Sequence, residues 1–389
     1  MKTADAVVIG AGINGASTAF NLLKRGLKKV VLIEKHLLAS GGTGRSAAIV
    51  RQHYSNKDLV KLVKRSVEIF QNFDAEIGGD CGFVSCGWAF LVPAAVSEGF
   101  SGNMTMLREL GIETSEISKD ELLEIEPRLD LADVHRIAYE PRSGYADPHR
   151  TTYSYVHQFC KHGGQLAAMT AVQGLLTERG RIKGIQTSRG EISTEVVVNA
   201  AGPWSPRIAE WAGITLPLRV TREEEIVLET ADSGGSPRLV FSDMSKAIYY
   251  RPEGATRTLV GRGFPKDYEF VDPDQFKESA SSLFVEETLA RLRDRLPAFK
   301  NALAISAYTG LYDVTPDWYP ILGKAEGVDG FYLCTGFSGH GFKIGPAIGE
   351  VMAEEIVNGE CRTVDLKKFN LSRFDKGELF QAAYGGNRA

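Results

Sequence analysis

Cysteine is scarce and odd in number: five residues are spread over 389 positions, which argues against a disulfide framework. Cys81 and Cys86 sit close together in CGFVSCGW, but no second Cys/His pair completes a tetrahedral metal site. His53, His135, His157 and His162 show no metal spacing either. Long hydrophobic runs are missing, each broken by Gly, Asn or charge well before the ~18 residues that a membrane span needs. Neither sign of charge dominates. Lys and Arg number 45 against 49 Asp and Glu, and the net charge of −4 leaves no nucleic-acid footprint. Internal repeats and low-complexity tracts are absent. The first apolar run begins within a few residues of Met1 and leaves no room for a signal peptide, so a cytoplasmic location is expected. What remains is an ordinary globular composition, 43% hydrophobic and 24% charged, at a length suited to two domains or one large domain with an excursion.

Against this background one stretch stands out. In residues 5–34 an apolar run from Asp5 to Ile9 meets Gly10, Gly12 and Gly15 in G-x-G-x-x-G spacing. A helical segment to Arg25 and a second apolar run ending in Glu34 complete a βαβ unit. Gly10 lets the chain turn sharply off the strand, Gly12 lets backbone N–H groups approach a pyrophosphate, and Gly15 lets the helix lie close to the sheet. The helix start then faces the diphosphate with its positive end and unpaired donors. A carboxylate at Glu34 can accept hydrogen bonds from ribose hydroxyls and would repel a 2′-phosphate, which disfavours NADP. Behind this unit, Gly41 and Gly42 suggest another backbone approach to phosphate or ring, which an NAD site does not need.

Along the rest of the chain, residues 57–77 carry a helical apolar stripe. Residues 81–92 read as a strand pair with a Gly-containing turn, and Val96 to Leu110 as a polar helix. Ser118 and Glu121 form a capping-box start for a short helix ended before Pro127. A buried run, Val196–Val198, meets Asn199-Ala200-Ala201-Gly202-Pro203-Trp204, read as a further parallel strand whose carboxyl end reaches the same cleft. Residues 216–306 show strand alternation and one charged helix, a second, antiparallel-sheet domain roofing the cleft. Near the end, a strand at Phe331–Cys334 enters a loop with Gly336, Gly339 and Gly341, then a helix with Pro346 near its start and Gly359 past its end. Lys343 lies at the positive end of that helix, where another cation is unfavourable by roughly 0.3–1 kcal/mol, so an anion is expected there. The tail after Phe374 reads as a loosely held end.

Five pieces, VVIGAGINGASTAFNL, GGTGRSAAIVRQHY, VVNAAGPWS, LYDVTPDWYPILG and GFSGHGFKIGPAIGE, occur in order between residues 5 and 360. Together they resemble the D-amino-acid-oxidase-type flavoproteins, in particular the branch of sarcosine oxidases, sarcosine oxidase β subunits, dimethylglycine dehydrogenases and glycine oxidases. The resemblance implies an α/β fold with an added antiparallel sheet. A Rossmann-like FAD-binding domain would be assembled from residues 1–80, 144–215 and 307–375, and a mixed or antiparallel-sheet substrate domain from 81–143 and 216–306, with 376–389 as a tail. It implies FAD held without a covalent bond, its adenosine end on Gly10, Gly12, Ile13, Asn14, Gly15, Glu34 and Lys35, with the Val172 backbone beside the adenine. The ring system would lie among Gly42, Thr43, Gly44, Arg45 and Ser46, then Ala201, Gly202 and Trp204, and finally Gly339, His340, Gly341, Phe342 and Lys343.

By the same resemblance Arg51 and Lys343 hold the carboxylate of an amine substrate over the flavin, and His340 lies near enough to bond to flavin or substrate. A guanidinium grips a carboxylate bidentately, and each charge-assisted bond in a dry cleft is worth about 1.5–3 kcal/mol. The implied activity is oxidation of the C–N bond of a small, secondary or N-methylated amino acid by hydride transfer to flavin N5, with hydrolysis of the imine and electrons passing to dioxygen or another acceptor. A 2-hydroxy acid, a glycerol phosphate, or a flavin-carrying role within a multi-subunit amine dehydrogenase are the alternatives. The chain departs from monomeric sarcosine oxidases in three places. Gly310 stands where they attach flavin through cysteine, Leu259 where they carry an oxygen-activating lysine, and Gly44 or Arg45 where the branch has a histidine. A partner subunit or a homo-oligomer is therefore left open, as is a second flavin at His149. Tyr249, Tyr250 and Arg262 are expected to shape specificity from the roofing sheet.

Overall fold

The computed structural model describes residues 2–381, 383 and 384. Strand β1 (Ala6–Ile9) is fully buried and ends at Gly10, where φ is +102° and an added Cβ would lie 2.4 Å from the Ala200 carbonyl oxygen. Only glycine fits that turn. Helix α1 (Ile13–Lys24) and strand β2 (Val30–Ile33) follow. Helix α2 (Lys57–Gln71) starts on Asn56, whose side chain accepts from the N–H groups of Asp58 and Leu59. Next come β3 (Trp88–Val92), β4 (Arg136–Glu140), α3 (Pro148–Lys161), β5 (Gln165–Ala167) and β6 (Val197–Asn199). The roofing region holds β7 (Arg219–Glu229), β8 (Val240–Asp243), β9 (Ile248–Glu253), β10 (Arg257–Arg262), α4 (Ser282–Arg295) and β11 (Leu303–Val314). The chain returns through β12 (Ile321–Lys324), β13 (Phe331–Thr335) and α5 (Gly341–Asn358), which stops on Gly359 at φ +78°.

Two large sheets result. The first has the order β12-β13-β6-β1-β2-β5, parallel except where β12 runs against β13. Its central strands are apolar runs buried on both faces, one under helices α1 and α5 and the other mainly under Ile182, Ile185 and Ile192 of a smaller sheet. The second sheet runs Glu269–Phe270, β7, β10, β9, β8, β3, β4 and Ser115–Glu116, with β11 along the length of β7. It is antiparallel apart from the parallel pair β8–β3. The α/β architecture with a second, mostly antiparallel sheet thus agrees with the βαβ unit, the strand alternation of residues 216–306 and the fold that the resemblance implies. A smaller sheet carries the hairpin strands Val172–Glu178, Arg181–Thr187 and Gly190–Ser193.

The two ends of the first sheet's chain path meet directly. Helices α1 and α5 pack through small residues: the Ser17 hydroxyl donates to the Pro346 carbonyl at 3.1 Å, and a Cβ on Gly349 would fall 2.0 Å from Ser17 Oγ. This contact brings the first glycine loop and the last one to the same cleft.

Two local expectations fail. Residues 81–92 form a single strand, β3; the earlier part makes only an isolated bridge, Val84 to Tyr145, because β3 takes β4 and β8 as its neighbours instead. The segment after Phe374 is not loose where it is described. Phe380 stacks on Tyr319 with ring centres 4.5 Å apart, and Tyr384 is 4% exposed. Aromatic side chains at the end of the chain find partners far away in sequence, which local polarity does not reveal; Ala382 and residues 385–389 of that tail lie outside the described residues.

Candidate active site

A cavity of about 840 Å³ opens at the carboxyl ends of β1, β2 and β6 and extends to the start of α5, within the range of ~300–1,000 Å³ common for ligand sites. Of the residues expected to hold a cofactor, Gly10, Gly12, Asn14, Glu34, Lys35, Gly42, Thr43, Arg45, Ser46, Val172, Ala201, Gly202, Trp204, Gly339, Gly341 and Phe342 line it. His340 and Lys343 line the adjoining smaller cavity instead, and Ile13, Gly15, Gly44 and Gly310 stand behind the wall. Ile13 donates its N–H to Thr43 Oγ1 at 3.2 Å, and Gly15 lies so near Gly10 that a Cβ would be 1.9 Å from its carbonyl oxygen. Gly44 is pressed between the Ala39 carbonyl and the His149 ring, and Gly310 against Arg45.

The wall has the chemistry of a dinucleotide cradle. Gly12 caps α1 without a side-chain bond, and the first turn of that helix carries no acid, so its donors and positive end face the cavity. The side-chain oxygen of Asn14 is buried with no hydrogen-bond partner among the described residues, an acceptor in want of a donor. A Cβ on Gly42 would lie 2.9 Å from the Leu311 carbonyl oxygen, so the loop hugs β11. Glu34 closes β2, its two oxygens accepting from Ala11 N and His36 N at 2.9 Å each; each oxygen retains a lone pair for a ribose hydroxyl.

The motif LYDVTPDWYPILG lines the cavity through Leu311, Tyr312 and Asp313 and also braces the loop beside it. Asp313 Oδ2 accepts from Gly336 N at 2.6 Å and from Thr335 Oγ1 at 3.1 Å, and Ser338 N donates to the Asp313 carbonyl at 3.0 Å. A buried pair, Asp317 with Arg373 at 2.8 Å, fixes the turn that follows. These bonds shape the loop at Gly336–Gly341 that bounds the cavity.

A second cavity, of about 150 Å³, shares Ser46, Tyr312 and Gly339 with the first. Arg51, Lys343 and His340 line it, and the structure thereby brings together the three residues expected to handle substrate. The Arg51 guanidinium lies 4.5 Å from the centre of the Tyr54 ring and donates to the His53 carbonyl. Tyr54 in turn meets the His340 ring edge-on at 5.5 Å. Lys343 is 8% exposed, and burial followed by the positive charge of Arg51 pushes its pKa well below the usual lysine value. No ion pair joins Lys343 to a carboxylate among the described residues. Behind Arg51, the buried Glu140 accepts from Gln52 N at 2.8 Å and from Ser143 Oγ at 2.6 Å, and burial raises its pKa to about 7.

The roof contributes Tyr249, Arg262 and Lys266. Tyr250 does not reach the cavity. Successive residues of β9 point to opposite faces, so Tyr249 bonds to Glu225 at 2.8 Å while Tyr250 stacks on Phe241 at 4.7 Å in the core of the second sheet. Arg262 is paired with Glu287 at 2.7 Å, and Lys266 with Glu223. Residues that sequence reading missed come from distant segments: Trp88 and Phe90 on β3, His53, and Tyr384 from the tail. A strap at residues 272–278 lines the larger cavity through Pro273, Asp274, Phe276 and Glu278. Its Asp274 accepts from Trp204 Nε1 at 2.6 Å and pairs with Arg207 and Lys35, and its Glu278 pairs with Arg45 at 2.8 Å. Lys35 also lies 3.7 Å above the Trp204 ring.

The chain is similar to known flavoproteins. Residues 5–355 match the model of the FAD dependent oxidoreductase family. FAD-dependent oxidoreductase domain-containing protein 1 of Bos taurus is 28% identical over 98% of this chain and 86% of its own length. The sarcosine oxidase subunit beta of Rhodobacter capsulatus is 27% identical over 97% of this chain and 90% of its own. Among solved structures, L-proline dehydrogenase from P. horikoshii superposes with a TM-score of 0.89 at 30% identity, covering 97% of this chain and all (100%) of that one. A family match over most of the chain, together with a cradle suited to a dinucleotide, identifies the protein as an enzyme of the FAD-dependent oxidoreductase family, with FAD as its cofactor.

Proposed function

We propose that this enzyme oxidises the C–N bond of a small, secondary or N-methylated amino acid. The observation that carries the reading is the pair of cations, Arg51 and Lys343, on a cavity of about 150 Å³ beside the dinucleotide cradle. A cavity of that volume holds a molecule of about benzene's size, which suits sarcosine or proline better than a phosphate ester. Arg262 and Lys266 are already neutralised by Glu287 and Glu223, so one carboxylate against Arg51 and Lys343 is the charge the site wants. FAD, when bound, supplies the acceptor for the hydride that leaves the substrate carbon.

The protein's own part is to bind and orient. Arg51 and Lys343 fix the carboxylate, and the smaller cavity adjoins the cradle through Ser46, Tyr312 and Gly339, which line both, so a bound acid sits next to the cradle. The two positive charges also disfavour an ammonium nearby and lower its pKa, which favours the neutral amine needed for oxidation. Among the described lining residues Asp243 is the one carboxylate, and Arg295 holds it at 2.6 Å. No free carboxylate base is therefore at hand. An ammonium with a pKa near ~10 can give its proton to water, so the amine needs no base from the wall.

Anaerobic incubation with sarcosine, proline and lactate tests this. Bleaching of the flavin band by an amino acid but not by lactate is expected; bleaching by lactate alone overturns the reading. A second reading, in which the chain works beside a partner subunit, draws on its similarity to a sarcosine oxidase subunit beta. Flavin reduction that appears only with co-purifying chains would favour it.

A further inference from the structure

We propose that Tyr384 is the end wall of the substrate cavity and sets the largest acid the enzyme accepts; this rests on the function proposed above. Tyr384 is 4% exposed and lines the same cavity as Arg51 and Lys343. Its hydroxyl lies 3.2 Å from His53 Nε2, the nitrogen that also meets Asn103 Nδ2 at 3.0 Å. Burial, then the charge of Arg51, pushes the His53 pKa down to about 3, so the ring is neutral. Tyr384 is thus bonded to the residue whose carbonyl holds the Arg51 guanidinium. Its ring meets Phe90 edge-on at 5.4 Å, and Phe90 stacks on Trp88 at 5.5 Å. These rings, with His53, line one side of the cavity.

The segment carrying Tyr384 has a separate anchor. Phe380 stacks on Tyr319, lies 5.0 Å from Phe369, and donates its N–H to Asp317 Oδ2 at 3.4 Å. Farther on, a Cβ on Gly99 would come within 3.0 Å of the Ala383 carbonyl oxygen. Residues 375–379, by contrast, are exposed. Removing the Tyr384 ring therefore takes away the wall while Phe380 keeps the segment docked, and the space gained lies between His53, Trp88 and Phe90. That space is flanked by the Trp88 and Phe90 rings, with the His53 imidazole at its edge, and suits an aromatic side chain.

The test uses the FAD-loaded protein and two variants, Y384A and Y384F. Acetate, benzoate and 2-naphthoate, which cannot be oxidised as amines, are titrated against each while the flavin absorption band is followed. Wild type and Y384F should prefer acetate to 2-naphthoate by the same ratio, and Y384A should shift that ratio at least tenfold toward 2-naphthoate. An unchanged ratio in Y384A overturns the wall. A shift of equal size in Y384F also overturns it, since only the hydroxyl is then at work. If the ratio moves as expected but neither sarcosine nor proline reduces the flavin of any form, the wall stands and the amine-oxidation reading falls.

Discussion

Lys343 gives up most of its hydration for a position beside another cation, at the positive end of a helix. Such a residue lowers the stability of the protein alone and is explained by an anion that joins it. Its replacement separates the two effects. In K343M, a small carboxylate such as acetate should bind roughly ten- to a hundredfold more weakly, the loss of one charge-assisted bond. The pH dependence carries the sign. The free enzyme's Lys343 is charged only below a pKa set well under the usual lysine value, so carboxylate affinity is full below that pKa and is lost as pH rises through it. K343M should lack this limb, and R51A should weaken acetate binding at every pH while retaining FAD. Titrations of the flavin band across pH check all three; a pH-independent affinity in the wild type contradicts the role given to Lys343.

At the scale of elements, the strap at residues 272–278 is held at one end by the second sheet and at the other by charges on the first. Arg222, 8% exposed, donates to the Lys277 carbonyl at 2.8 Å and to the Ser279 carbonyl at 2.7 Å, which fixes the base. In the lining of the larger cavity, Asp274 gathers Trp204, Arg207 and Lys35. This outer cluster is half exposed, so salt should weaken it, while the Arg222 anchor is shielded. In D274A, release of FAD should quicken several-fold, and the effect of salt on release should shrink relative to wild type. Stopped dilution with flavin fluorescence as the signal measures both; equal release rates in the two proteins would mean that the strap does not retain the cofactor.

Over the whole molecule, legibility in sequence follows the range of the interaction. Gly10, Gly12, Gly42 and Glu34 could be read because a turn, a close approach and a strand end each impose a local residue type. Lys343 could be read because a cation at a helix start is locally unfavourable. Asp274, Trp88, Phe90 and Tyr384 could not, since nothing near them in sequence shows that three separate segments converge on two cavities. Tyr250 shows the limit of strand reading: alternation separates it from Tyr249, but the face that turns inward is decided by the helix α4 side of the sheet, where Phe241 and Leu292 share its core. The sheet order itself depends on α1 meeting α5 through Ser17 and Gly349, a contact spanning most of the chain.

The central claim is a flavin in the larger cavity and a carboxylate between Arg51 and Lys343 in the smaller. Electron density from crystals grown with FAD and acetate tests it most directly. The flavin ring is expected at the junction formed by Ser46, Tyr312 and Gly339, with acetate bonded to both Arg51 and Lys343. Acetate bound elsewhere, with those two side chains turned away from the ring, would contradict it.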